Sequence, residues 1–200
     1  MEITYTNLYG KTLTAQQVAS SDIFIKIFKE NNRLRKEEFY DRNMLFNTLN
    51  YIEFGSSHQD LLALNMGTIS IIEIEDTDSN YIKYHSFKYL NGIIKSKGLA
   101  VRKTNDVGIM NQTLDLQTNL PIYNKTYKYY EDQTNGYEFK FHYYHSGELT
   151  SIIVSNDARK FYEQYKISEL NLIPNFEWWD QYSSYYLNAE PVIPNGIVIA

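Results

Sequence analysis

The sequence predicts an α+β fold: an antiparallel, meander-rich β-sheet with a few short helices, two of them near the C-terminus packing on the sheet. Three observations predict it. Alternating apolar runs recur along the chain, punctuated by the turn dipeptides Asn31-Asn32, Asn91-Gly92, Asn135-Gly136 and Ser146-Gly147. The chain holds 19 Tyr and 10 Phe, and aromatic rings favour half-buried strands. After Asp157 the apolar spacing lengthens to four, as in Phe161 and Tyr165, which suits a helix. One domain over 1–200 is expected, with a sub-division near 103–122 as the alternative.

Taken in order, residues 1–13 read as a short strand and a turn around Gly10. Thr14 and Gln17 have the spacing of a capping box and predict a short helix ending near Ser20. Residues 22–54 read as strands turning at Asn31-Asn32 and at Asp41-Arg42-Asn43. The stretch from Ser56 to Asp60 offers caps for a short helix carrying Leu61, Leu62 and Leu64, and Gly67 stops it. Thr68 to Glu75 is a β-branched strand. In 81–102, Asn91-Gly92 predicts a hairpin with Leu90 beside Ile93. Residues 103–122 read as a connection with a short strand near Leu114.

The best-specified segment is 137–157. A loop at Ser146-Gly147 sets Phe139 against Val154, Phe141 against Ile152 and Tyr143 against Thr150, all on one face. With a turn at Asn135-Gly136, Tyr130 joins Phe141 and Ile152, and Glu131 meets Lys140 on the other face. Residues 157–167 are expected to be helical, and so is Phe176 to Leu187, capped by Asn175. Ile197-Val198-Ile199 is expected as an edge strand.

Composition narrows function. A net charge of −5 argues against gripping nucleic acid through a basic face and suits a basic protein partner. The absence of Cys excludes disulfide staples, thiol catalysis and thiolate metal sites. No stretch approaches the ~20 apolar residues of a membrane helix. Residues 1–20 lack the basic start and apolar run of a signal peptide, so a cytoplasmic location, with no membrane association, is expected.

Three hairpins look alike: Phe28 to Asn43, Phe87 to Val101 and Tyr143 to Asp157. Each has an aromatic strand, an Asn- or Gly-containing turn and an apolar residue soon after. Asn32 and Leu34 stand in the first where Gly147 and Leu149 stand in the third. This pattern resembles the β-hairpin repeats of the MORN type and of related bacterial antitoxins, over about a third of the chain. The resemblance implies a sheet that binds rather than catalyses. It carries no functional residue with it, because the pattern defines structure and not a site.

Motifs with catalytic chemistry are weak. Asp76 to Asn80 spaces oxygens like the start of a calcium loop, but Tyr81 and Phe87 stand where the loop needs Gly and Glu. His142 and His145, three apart on a strand, point to opposite faces. His58 and His85 have no sequence neighbours to work with. Glu73, Glu75, Asp76, Glu131 and Asp132 are candidate acid/base groups that only the fold can bring together. No cofactor or metal is expected.

The segment from Trp178 to Tyr186 is the one with odd composition, apolar on two sides. It either packs against the sheet or presents a contact surface. On the second reading Trp178, Asp180, Tyr182 and Tyr185 form the partner-binding residues. The expected function is a non-enzymatic protein-binding module, most concretely a bacterial immunity or antitoxin-like protein that neutralises a basic toxin by binding it. A carbohydrate- or ligand-binding β domain is one alternative. An enzyme whose carboxylates assemble in the fold is another.

Overall fold

Three short turns with both central residues at positive φ fix the start of the sheet: Asn31-Asn32 (50° and 63°), Arg42-Asn43 (48° and 61°) and Asn91-Gly92 (50° and 75°). Such turns match the right-handed twist of the strands they join, and Asn and Gly tolerate the conformation best. The computed structural model describes residues 1–8, 10–63, 67–76, 80–104, 107–194 and 198–199, with the backbone alone at Asp76.

The strands are β1 (Glu2–Thr6), β2 (Ile23–Glu30), β3 (Arg33–Asp41), β4 (Met44–Glu53), β5 (Thr68–Asp76) and β6 (Tyr81–Leu90). They continue as β7 (Ile93–Lys103), β8 (Gly108–Leu114), β9 (Pro121–Asp132), β10 (Tyr137–Tyr143), β11 (Leu149–Asn156) and β12 (Phe161–Lys166). All twelve hydrogen-bond in sequence order. β4 and β5 run parallel, joined by a crossover that carries α2 (Gln59–Ala63). The other α-helices among the described residues are α1 (Ala15–Ala19), closed by the expected Thr14/Gln17 capping box, and α3 (Trp179–Tyr186).

The expected α+β class is overturned. Strands dominate, and the longest helix among the described residues, α3, has eight residues. The predicted helix over 157–167 is instead a 3₁₀ turn, Asp157–Arg159, followed by β12. The cause is arithmetic. A spacing of four keeps Phe161 and Tyr165 on one side of a helix, but it also keeps them on one side of a strand. Pairing with β11 decides for the strand: Tyr165 sits opposite Ile152 and Phe161 opposite Asn156. Arg159 and Glu163 bond Tyr137 (3.1 Å) and Tyr165 (2.6 Å) respectively. Near the C-terminus lie one α-helix, α3, and before it a six-residue 3₁₀ helix, Ile167–Leu172. The start of α3 is later than expected, and Asn175 is in a left-handed conformation (φ 51°) rather than a cap. Val198 and Ile199 form no strand, and Ile197 lies outside the described residues.

The chain divides into two compact units: Met1–Glu75 with Tyr84–Lys97, and Asp76–Lys83 with Gly98–Ala200. The first is built on β1 to β5 and holds Phe24, Phe28, Ile69 and Ile71 as buried apolar residues. The second is built on β8 to β12 and contains a dense aromatic core. There Phe141 stacks on Tyr186 with centroids 4.2 Å apart, and Phe139, Ile152 and Val154 are fully buried around it.

Registers in the second unit match the expectation at Phe139–Val154 and Phe141–Ile152. Tyr143 faces Leu149 instead of Thr150, because the loop closes with a Tyr144–Glu148 backbone bond and a bulge absorbs the extra residue. At the other turn the loop is two residues longer than expected. Asp132 Oδ1 accepts the N–H groups of Thr134 and Asn135 (3.0 and 3.2 Å), and Tyr137 pairs with Asp132. The shift by two keeps every side chain on its face but changes its neighbour. Lys128, not Tyr130, lies beside Phe141, and Glu131 meets Glu138 rather than Lys140.

Lys128 lies on the core face in either register and has no solvent exposure. Its Nζ donates to the carbonyls of Tyr185 (2.6 Å), Asn188 (2.9 Å) and Pro191 (2.8 Å), and lies 3.7 Å from the Tyr185 ring centroid. The last carbonyls of a helix have no partners of their own and carry partial negative charge. Lys128 therefore ties the end of α3 to β9. Burial pushes its pKa down to about 7, with Glu190 pulling the other way.

Candidate functional site

Alternation along β9 to β12 gives the second unit two unlike faces. Phe139, Phe141, Ile152, Val154 and Tyr165 point into the aromatic core. Their neighbours in sequence point the other way: Tyr129 and Glu131, Glu138 and Lys140, Ile153, and Tyr162. These six line a recess of about 480 Å³.

Glu131 and Glu138 are directly opposite each other on neighbouring strands, and both are exposed. Like charges so placed cost stability rather than adding to it. Lys140, one pair further along, turns its Nζ over the Tyr127 ring at 4.1 Å. Lys103 feels Glu131: burial lowers its pKa, and Glu131 opposes that shift. Tyr162 is 69% exposed. Rings on an open face, with two carboxylates between strands, suit a flat or rod-like cation such as a guanidinium or ammonium side chain.

The four sequence-expected contact residues separate. Tyr182 and Tyr185 are core residues, 3% and 1% exposed, and the Tyr185 hydroxyl donates to the Val192 carbonyl at 3.0 Å. Trp178 is half-buried and stacks on Tyr130, centroids 3.7 Å apart. Its buried Nε1 has no hydrogen-bond partner among the described residues. Asp180 is exposed in the first turn of α3. With Glu177, Phe176 and Trp179 it borders a second, open recess of about 380 Å³.

The acid/base candidates also find places. Asp132 caps its own turn, and Asp76's side chain and residues 77–79 of the calcium-like run lie outside the described residues. Glu73, 7% exposed, bonds His58 Nε2 through Oε1 at 2.7 Å. Its Oε2 accepts the Gly55 N–H at 3.2 Å. The other His58 nitrogen, Nδ1, is 2.8 Å from the Tyr89 hydroxyl. His85 makes a matching 2.7 Å contact with Glu75. His142 packs on Tyr127 (4.9 Å), and burial, with Lys140 nearby, lowers its pKa. His145 contacts Asn124 at 3.3 Å.

No family model, curated protein or solved structure matches this chain. Among the described residues, no three His, Asp or Glu side chains gather as a metal site would require. None of the described helices is long and apolar enough to cross a membrane.

Sequence reasoning missed the recess residues Tyr129, Glu138 and Tyr162. The signal existed, in the parity of β9 to β12, but using it required knowing that 161–166 is a strand. The His58–Glu73 contact had no signal, since 15 residues and a crossover separate the partners.

Proposed function

We propose that the chain is a non-enzymatic protein-binding module of the immunity or antitoxin kind, which neutralises a basic partner by covering it. The supporting observation is the uncovered face of β9 to β12, where Glu131 and Glu138 oppose each other between Tyr129 and Tyr162. Set opposite each other the two carboxylates repel, and although Lys103 attracts Glu131, a cationic side chain entering between them relieves the repulsion. The net charge of −5 speeds the approach of such a partner. Of the four expected contact residues Asp180 contributes here, bordering with Glu177, Phe176 and Trp179 a second acidic and aromatic rim.

The test is titration of the chain against the product of an adjacent toxin-like gene. A stoichiometric complex is expected, weakened tenfold or more by the double substitution Glu131→Gln/Glu138→Gln and by raised salt. An unchanged affinity in the double variant would remove this face from the interface. A sugar-binding reading rests on the same two rings, and there the double variant would retain binding to a glycan while salt had no effect.

A further inference from the structure

The first unit holds a second constellation that a binding role leaves unused. Three residues from three separate stretches converge: His58 from the crossover, Glu73 from β5 and Tyr89 from β6. Glu73 holds the imidazole at Nε2, and its own second oxygen is fixed by Gly55. The Phe87 ring meets His58 edge-on, centroids 4.7 Å apart at 70°, which limits ring rotation. In the tautomer that satisfies both bonds, Nε2–H donates to the carboxylate and Nδ1 accepts the Tyr89 O–H. A hydroxyl against a base, with the base oriented by an acid, is the arrangement that activates a weak nucleophile.

The geometry points to Tyr89 as a nucleophile that takes an acyl group from an activated ester or acyl azole, with His58 as its base and Glu73 as the positioning residue. In the step, Tyr89 Oη forms a bond to the acyl carbon, and the bond from that carbon to the leaving oxygen or nitrogen breaks. The phenol proton passes to His58 Nδ1 and then to the leaving group. Glu73 accepts the Nε2–H throughout and sits beside the transient imidazolium. The products are O-acyl-Tyr89 and a free alcohol or azole. Burial and the charge of Glu73 raise the pKa of Tyr89, so the phenol enters protonated and needs the base.

The experiment treats the whole chain with N-acetylimidazole at low excess and maps acetylated tyrosines by mass spectrometry. Tyr144 and Tyr162 are 57% and 69% exposed, so accessibility alone favours them. The expected result is that Tyr89 labels first, with a pH profile unlike that of Tyr144 and Tyr162. His58→Gln lowers the Tyr89 rate tenfold or more, and His85→Gln, which removes the neighbouring pair without touching Tyr89, leaves it unchanged. Labelling of Tyr144 and Tyr162 ahead of Tyr89 in the unmodified chain overturns the proposal, whatever the variants do. So does a Tyr89 rate that is unchanged in folded His58→Gln, or one whose pH profile matches that of Tyr144 and Tyr162.

Discussion

The two units use the same hairpin grammar and are held together differently. In the second, one sheet face packs against rings from α3, and Tyr81, Tyr185, Tyr186, Phe139 and Phe141 are all but fully buried. In the first, Ile71 is the one large side chain so deeply buried among the described residues. Its strands are instead laced by pairs such as Tyr51–Glu37 (2.6 Å) and the Phe24–Tyr40 stack (4.8 Å), with Lys36–Glu38 (2.7 Å) running along β3. Met44, Leu45 and Phe46 remain largely exposed. Twisted strands can thus be stabilised by apolar burial or by neighbours on the same face, and the two modes respond to mutation on different scales.

The largest expected effect lies in the buried mode. Phe141→Ala removes a ring with no exposure that stacks on Tyr186 and on Trp179 (6.0 Å). Loss of its transfer energy plus a cavity costs about 3–5 kcal/mol. Denaturant unfolding followed by tryptophan fluorescence measures it, since both Trp residues lie in the second unit. A loss below about 1 kcal/mol would mean that this core is loosely packed.

Lys128→Met comes next, at about 3 kcal/mol, because it keeps the volume but leaves three carbonyls without their donor. The pH dependence separates charge from packing. With a folded pKa near 7 and an unfolded one near 10.5, the unfolded chain binds more protons in between. The Lys128 contribution to stability therefore rises with pH from about 7 to about 10. Tyr143, Tyr185 and Tyr186 act oppositely: burial raises their folded pKa values, so the stability they give is present below pH ~10 and is lost above it. Melting temperatures of the parent chain should rise to a maximum on the alkaline side of neutral and then fall. Lys128→Met should abolish the rise and keep the fall.

Much of this contrast was legible in the sequence, and its limits are physical. Turn chemistry located the strands, because Asn31-Asn32 and Asn91-Gly92 admit few backbone alternatives. Local rules failed where a side chain bonded the backbone. Asp132 lengthened its turn by two residues, and that one event set Lys128 beside Phe141 and Glu131 against Glu138. They also failed where one spacing served two periodicities, as at Phe161 and Tyr165. The contact helix was located to within three residues, but which of its rings face inward depended on β9 to β11. Long-range pairs such as His58–Glu73 leave no local trace.

The uncovered face sharpens the comparison with a smaller effect of opposite sign. Neutralising Glu131 and Glu138 together removes a like-charge pair directly across two strands. The double glutamine variant should gain about 0.2–1 kcal/mol in denaturant unfolding. A more stable protein that binds less well would place these carboxylates under selection for contact rather than folding. A loss of stability would show that they support the sheet.

The smallest effect belongs to the first unit's surface. Arg33 reaches Glu53 at 2.9 Å, but both side chains are more than 60% exposed. Water screens such a pair, and ordering two long side chains offsets most of the attraction. Arg33→Gln should shift the unfolding midpoint by less than about 0.5 kcal/mol, and by less still at high salt. A larger loss would mean that Arg33, Arg35, Glu30 and Glu53 act as one network on this edge-to-edge array, with each bridge made cheaper by the ordering of the others. Replacing Arg33 and Arg35 singly and together decides between the two: independent bridges give additive losses, and a network gives a double variant little worse than either single one.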